Sequence, residues 1–110
     1  MGIFKSEQVS KIIDNTETIV SEVVIVTNGY YSTNGESTIL VKNVDHCKLY
    51  LDSKTTENIT IKSLTNTLII SDLLIDEEFT EVELDKGACV KFKKINNFWY
   101  IMSSDGLKLI

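Results

Sequence analysis

The sequence predicts an all-β protein: a small antiparallel β-sandwich or β-barrel-like domain of about nine short strands, behind an N-terminal arm or short helix. Three observations predict it. Fourteen Ile, nine Val and eleven Thr make 34 of the 110 residues β-branched, while Ala occurs once and Pro is absent. Apolar residues recur with period 2 in short runs rather than at helical spacing. The runs are separated, roughly every ten residues, by Asn, Asp, Ser, Thr and Gly. A chain of 110 residues makes one domain. Its 43% apolar and 25% charged residues are those of a folding globular chain rather than a disordered one.

The first 14 residues stand apart, because Val9, Ile12 and Ile13 lie at helical spacing behind Ser6 and Glu7. Residues 1–17 therefore read as an arm or short helix, and 18–110 as the β domain. Thr18 to Thr27 is a β-branched run closed by the hairpin-type pair Asn28-Gly29, and Tyr30 to Glu36 reads as a loop around Asn34-Gly35. Strands follow at Ser37 to Lys42, Cys47 to Leu51, Asn58 to Ser63 and Thr67 to Ser71. Between Thr80 and Ile95, Val82 and Leu84 alternate with Glu81, Glu83 and Asp85 before Lys86-Gly87, and Val90 and Phe92 alternate with Lys91 and Lys93 after it. That pattern predicts an antiparallel hairpin turning at Lys86-Gly87, with glutamates across from lysines on its solvent face. Asn96-Asn97 then turns the chain into Phe98 to Met102, and Ser103 to Gly106 turns it into Leu107 to Ile110.

Two of these strands are apolar on both sides. Ile19, Val23 and Ile25 share one side of the first run while Val20, Val24 and Val26 share the other, and Trp99 and Ile101 oppose Phe98, Tyr100 and Met102. A domain of this size has one core, so a strand with two apolar faces calls for a second layer, and a partner subunit supplies it most simply. A homo-oligomer is expected, with Val24, Val26, Trp99 and Ile101 as candidate intersubunit contacts. In the alternative, the N-terminal arm covers the outer face of a central sandwich strand.

Charge and motif content exclude several functions. All eleven basic residues are Lys, and sixteen acids leave a net charge of −5. Without Arg or a basic excess the chain is a poor match to nucleic acid. Cys47 and Cys89 lack Cys-x-x-Cys spacing, and His46 is the one His, so no metal or cofactor is expected. Adjacent strand residues point to opposite faces, which separates His46 from Cys47 as a catalytic pair. The seven acids between Asp72 and Asp85 lack the Asp-x-Asp-x-Asp-Gly order of a calcium loop and read as a solvated face and loop. No catalytic residues are assigned. No run approaches a membrane span, and the Met1-Gly2 to Ser6 acylation pattern has little basic charge beside it. The chain is expected to be made in the cytoplasm and not to associate with a membrane.

The stretch Asn58-Ile-Thr-Ile-Lys-Ser-Leu-Thr-Asn-Thr-Leu-Ile-Ile70, then Leu74-Ile75-Asp76, Val82 to Gly87, Val90-Lys-Phe92 and Asn97-Phe-Trp-Tyr-Ile101 resembles the small β modules of bacteriophage fibre and spike proteins. Their pattern is an "ITIKN" strand, a "TVTI" strand, an "I-D-G" turn, an "SVTL" strand and a closing "NWYII" strand. The resemblance covers about residues 18 to 102; Glu77 replaces the turn glycine, and Phe98 intervenes between Asn97 and Trp99. It implies a structural virion protein, typically a homotrimer, such as a head-fibre, capsid-decoration or tail accessory protein. Residues 1–17 would then attach to the major capsid protein or another virion protein, with Phe4 and Ile12 as candidate arm contacts, and the projecting β domain would meet a host-surface glycan. Two other functions fit the residues. Val41 to Leu51, Ile59 to Ile61 and Leu68 to Ile70 read as stacked rungs of a cytoplasmic β-helix-like binding module, although a hairpin at Lys86-Gly87 would interrupt them. Tyr30, Tyr31, Tyr50 or Trp99 could serve as platforms in a carbohydrate-binding domain.

Overall fold

The computed structural model describes residues 22–54 and 57–110, and within them the protein is all-β, without a helix. The described residues form eight strands: β1 (Val23–Val26), β2 (Tyr30–Ser32), β3 (Thr38–Val41), β4 (His46–Leu51), β5 (Asn58–Ser63), β6 (Asn66–Ile75), β7 (Phe79–Ile95) and β8 (Phe98–Leu109). The expected arm, with Phe4 and Ile12, lies outside the described residues, as do Thr18 to Ser21.

The architecture is β-solenoid-like, not the expected antiparallel sandwich or barrel. The chain winds through three rungs, each placing one strand on wall A and the next on wall B. On wall A, β1, β3 and β5 stack in parallel, with Val24 beside Ile39 and Ile39 beside Ile61. On wall B, β2, β4 and β6 do the same, with Tyr31 beside Leu49 and Leu49 beside Ile69. Then the chain reverses. Asp76 and Glu77, at φ 52° and 61°, form a tight turn with the left-handed backbone that hairpins require, and β7 runs back antiparallel to both columns. Its first half pairs with β6 (Ile69 beside Val82) and its second half with β5 (Ile61 beside Val90). Asn96 and Asn97, at φ 51° and 69°, make the next turn, as the sequence predicts, and β8 pairs along β7 over both walls. The result is one sheet folded on itself, in the order β1-β3-β5-β7-β8-β6-β4-β2.

The hairpin expected at Lys86-Gly87 is therefore a corner inside one 17-residue strand. Gly87 takes φ 84°, which lets the strand leave wall B for wall A without ending. Gly106 (φ 87°) makes the matching corner of β8, and Ser103 to Gly106 is part of that strand instead of a turn. Asn28-Gly29 likewise joins two strands that do not pair with each other, so it is a corner and not a hairpin. Tyr30 to Ser32, expected as loop, is β2 because its backbone completes the wall B column.

Inner side chains form columns across the rungs. Val24, Ile39, Ile61 and Val90 make one on wall A; Tyr31, Leu49, Ile69 and Val82 make one on wall B. The molecule measures 42 × 34 × 21 Å, its thinnest dimension fitting two walls about 10 Å apart with outward side chains. Polar residues at inner positions are satisfied locally. Ser63 and Thr67, fully buried, share a 2.7 Å hydroxyl contact, and both hydroxyls reach the Thr65 carbonyl at the third corner.

Candidate functional site

Alternation fixes what each wall shows to solvent, and the two outer faces carry the chemistry. The outer positions of wall A run from Val23 and Ile25 on β1, through Thr38 and Leu40 on β3 and Thr60 and Lys62 on β5, to Lys91 and Lys93 on β7. Val23 and Ile25 are 48% and 55% exposed. On wall B the same positions are Tyr30 and Ser32, then Lys48 and Tyr50, then Leu68 and Ile70, then Glu81 and Glu83. Tyr30 is 57% exposed. Each face is thus apolar or aromatic toward β1 and β2 and charged at the level of β7.

The charges differ in sign. Within the described strands, Lys62, Lys91 and Lys93 on wall A face outward against Asp105, while Asp72, Glu81, Glu83 and Asp85 on wall B face outward against Lys48 and Lys108, with Lys86 exposed at the corner beside them. Asp85 and Lys108 pair at 3.4 Å, an exposed contact of small energetic weight. Lys62 Nζ donates to the Gly87 carbonyl at 2.6 Å, tying the lysine row to the corner of β7. Burial, the nearby Asp72 and Asp52 carboxylates and Tyr30 push the Tyr50 phenol above its ordinary pKa. These groups share one electrostatic neighbourhood on wall B.

The four candidate intersubunit residues take different positions. Val26 is 3% exposed and Trp99 0%; both are enclosed by their own chain and have no surface left for a partner. Val24 and Ile101 are half-buried and pack against the core. In β1 the outward pair is Val23 and Ile25, one residue out of phase with the expected Val24 and Val26. Four consecutive apolar residues give alternation nothing to choose between; pairing with β3, whose Ile39 and Val41 point inward, makes the choice. Trp99 meets Phe92 edge-on at 6.3 Å between ring centres, and Lys94 Nζ sits 5.7 Å from the Trp99 ring. Among the described residues its indole nitrogen has no hydrogen-bond partner.

His46 is exposed and Cys47 buried, on opposite sides of β4. Burial raises the Cys47 thiol pKa, which leaves it protonated and unreactive at neutral pH. Cys89 lies on wall A, outward, so the two thiols are on different walls and both are free. A depression of about 220 Å³ on wall B is lined by Gly29, His46, Lys48, Asn66, Leu68 and Glu83 and is largely open to solvent. Among the described residues no three His, Cys, Asp or Glu side chains group closely enough to hold a metal ion. Two of the three remaining acids of the run are occupied: Asp76 accepts from the Ile101 amide at 3.0 Å and Glu77 from the Tyr100 hydroxyl at 2.7 Å, fastening the β6–β7 turn to β8. Glu36, 2% exposed, accepts from the Tyr31 hydroxyl and, at 2.6 Å, from the Asn34 amide. Burial first, and Glu36 second, drive the Tyr31 pKa far up.

No family model matches the chain, and no curated protein matches it either.

Proposed function

We propose that the chain is a non-enzymatic structural protein of a bacteriophage particle, a homotrimeric head-fibre, capsid-decoration or tail accessory component. The observation that carries this is the outer surface. The core is closed within one chain, from Trp99 and Phe92 to Ile39 and Leu49, yet both outer faces still present apolar side chains, Val23 and Ile25 on one and Tyr30 on the other. A protomer with a closed core and an exposed apolar or aromatic end on each outer face is suited to assembly. The stretch that resembles phage fibre and spike modules, Asn58 to Ile101, forms β5 to β8, the part where the rungs are closed off.

The experiment is recovery of this chain, in fixed ratio to the major capsid protein, from gradient-purified particles of the phage that encodes it. Abundance in the infected-cell lysate with absence from particles would overturn the virion assignment. A second function, a β-helix-like protein-binding module, is favoured by the two parallel columns β1-β3-β5 and β2-β4-β6. That second outcome in the particle experiment would direct attention to it.

A further inference from the structure

We infer that copies of this chain assemble by packing the outer face of wall A on one copy against the outer face of wall B on the next, with their rungs level. The inference rests on the homo-oligomeric assembly proposed above and specifies its two contacting surfaces.

Three features of the faces carry it. First, their signs are opposite: lysines dominate the outward charge of wall A and carboxylates that of wall B. Second, the charges stand at the same height, because both rows sit on β7, Lys91 and Lys93 on its second half and Glu81 and Glu83 on its first. Third, the ends that carry the fewest charges stand at the same height too, Val23, Ile25, Thr38 and Leu40 against Tyr30, Ser32, Tyr50 and the one cation Lys48, on the first two rungs of each wall. Laid side by side with their winding axes parallel, two copies place lysines on glutamates and apolar side chains on aromatic ones without an axial shift. Wall A on wall A would set lysine rows together, and wall B on wall B carboxylate rows, so repulsion selects the unlike pair. The contact uses a different surface on each copy. It is therefore heterologous, closing into a ring only when each step turns through an equal share of a full circle.

The test uses two folded variants of the full chain, Lys91→Glu with Lys93→Glu, and Glu81→Lys with Glu83→Lys. All four positions face outward, and circular dichroism melting checks that each variant folds; if either pair fails to fold, the single changes Lys91→Glu and Glu83→Lys replace it. By light scattering, the wild type should run as an oligomer that dissociates as salt rises, and each variant alone should fall to 12.4 kDa. In an equimolar mixture each acidified wall A meets a basified wall B and each remaining basic wall A meets an acidic wall B, so assembly should return as strictly alternating copies. A closed ring of alternating copies needs an even number of chains, so a three-membered ring cannot be rebuilt from the mixture, which should instead give open or even-numbered alternating assemblies that contain both variants. Variants that keep the wild-type mass, or that dissociate and are not restored by mixing, would overturn the face assignment while leaving the oligomer standing. A wild type that is monomeric at every concentration would overturn the oligomer and the face assignment together.

Discussion

The two halves of β7 have the same inner chemistry and opposite outer chemistry. Residues 81–85 bury Val82 and Leu84, and residues 89–93 bury Val90 and Phe92. Outward, the first half shows Glu81, Glu83 and Asp85 and the second Lys91 and Lys93. In a hairpin these two rows would face each other and neutralise. Here one strand turns a corner at Gly87, and the rows end on opposite sides of a slab 21 Å thick. The inner residues are interchangeable in kind because both walls enclose one core. The outer residues are not, since nothing inside the protomer brings them together.

Changes at inner positions should therefore dominate stability, and outer ones should leave it almost untouched. The largest expected effect is at Trp99, whose replacement by Ala removes the edge-on contact to Phe92 from a fully buried site and should cost about 3–5 kcal/mol; an unchanged chemical-denaturation midpoint would sink this placement. Gly106 tests the corner itself. A Cβ there would lie 2.6 Å from that of Ala88, at φ 87°, so Gly106→Ala should cost about 1–3 kcal/mol, and adding Ala88→Gly should recover the steric part but not the backbone part. Tyr31→Phe, which leaves the buried Glu36 carboxylate with one donor fewer, should cost about 1–3 kcal/mol. Its sign with pH follows from the raised folded-state pKa: the proton is held more tightly in the folded chain, so this contribution is whole below the unfolded phenol pKa of about 10 and fades above it. The wild type should lose stability between pH 10 and 12 faster than Tyr31→Phe in urea titrations. The smallest effect is at the outer positions, where Glu83→Gln and Lys91→Gln at high dilution should each shift stability by less than about 0.5 kcal/mol. A larger loss at either would mean that its face is part of the protomer's own packing.

The period-2 pattern made the all-β class and the inner residues of β7 legible, because alternation is local and both halves follow it strictly. Pairing is not local. A glycine between two alternating runs serves a hairpin and a solenoid corner equally well; what decides is that β6 and β5, not the other half of β7, lie alongside. The rungs were hard to read as a repeat for a similar reason. Val24 to Ile39 is fifteen residues and Ile39 to Ile61 twenty-two, so no fixed period marks the columns. In Val23–Val26 every residue is apolar, and the outward pair Val23 and Ile25 could be recognised only once β3 was in place. The opposed charge rows were visible as residues in the sequence, but their separation onto two faces depends on the corner at Gly87.

That same corner orders events at the ribosome. β1 to β6 are synthesised before β7, and until Phe79 to Ile95 emerges the strands β5 and β6 each end their column with a bare hydrogen-bonding edge. Those edges are templates for pairing with other nascent chains. Because β7 covers both in one continuous segment, a single stretch of late translation closes them together. Chains halted before residue 79 should accumulate as insoluble material, while those that also carry β8, which pairs along the far edge of β7 and supplies the buried Trp99, should remain dispersed.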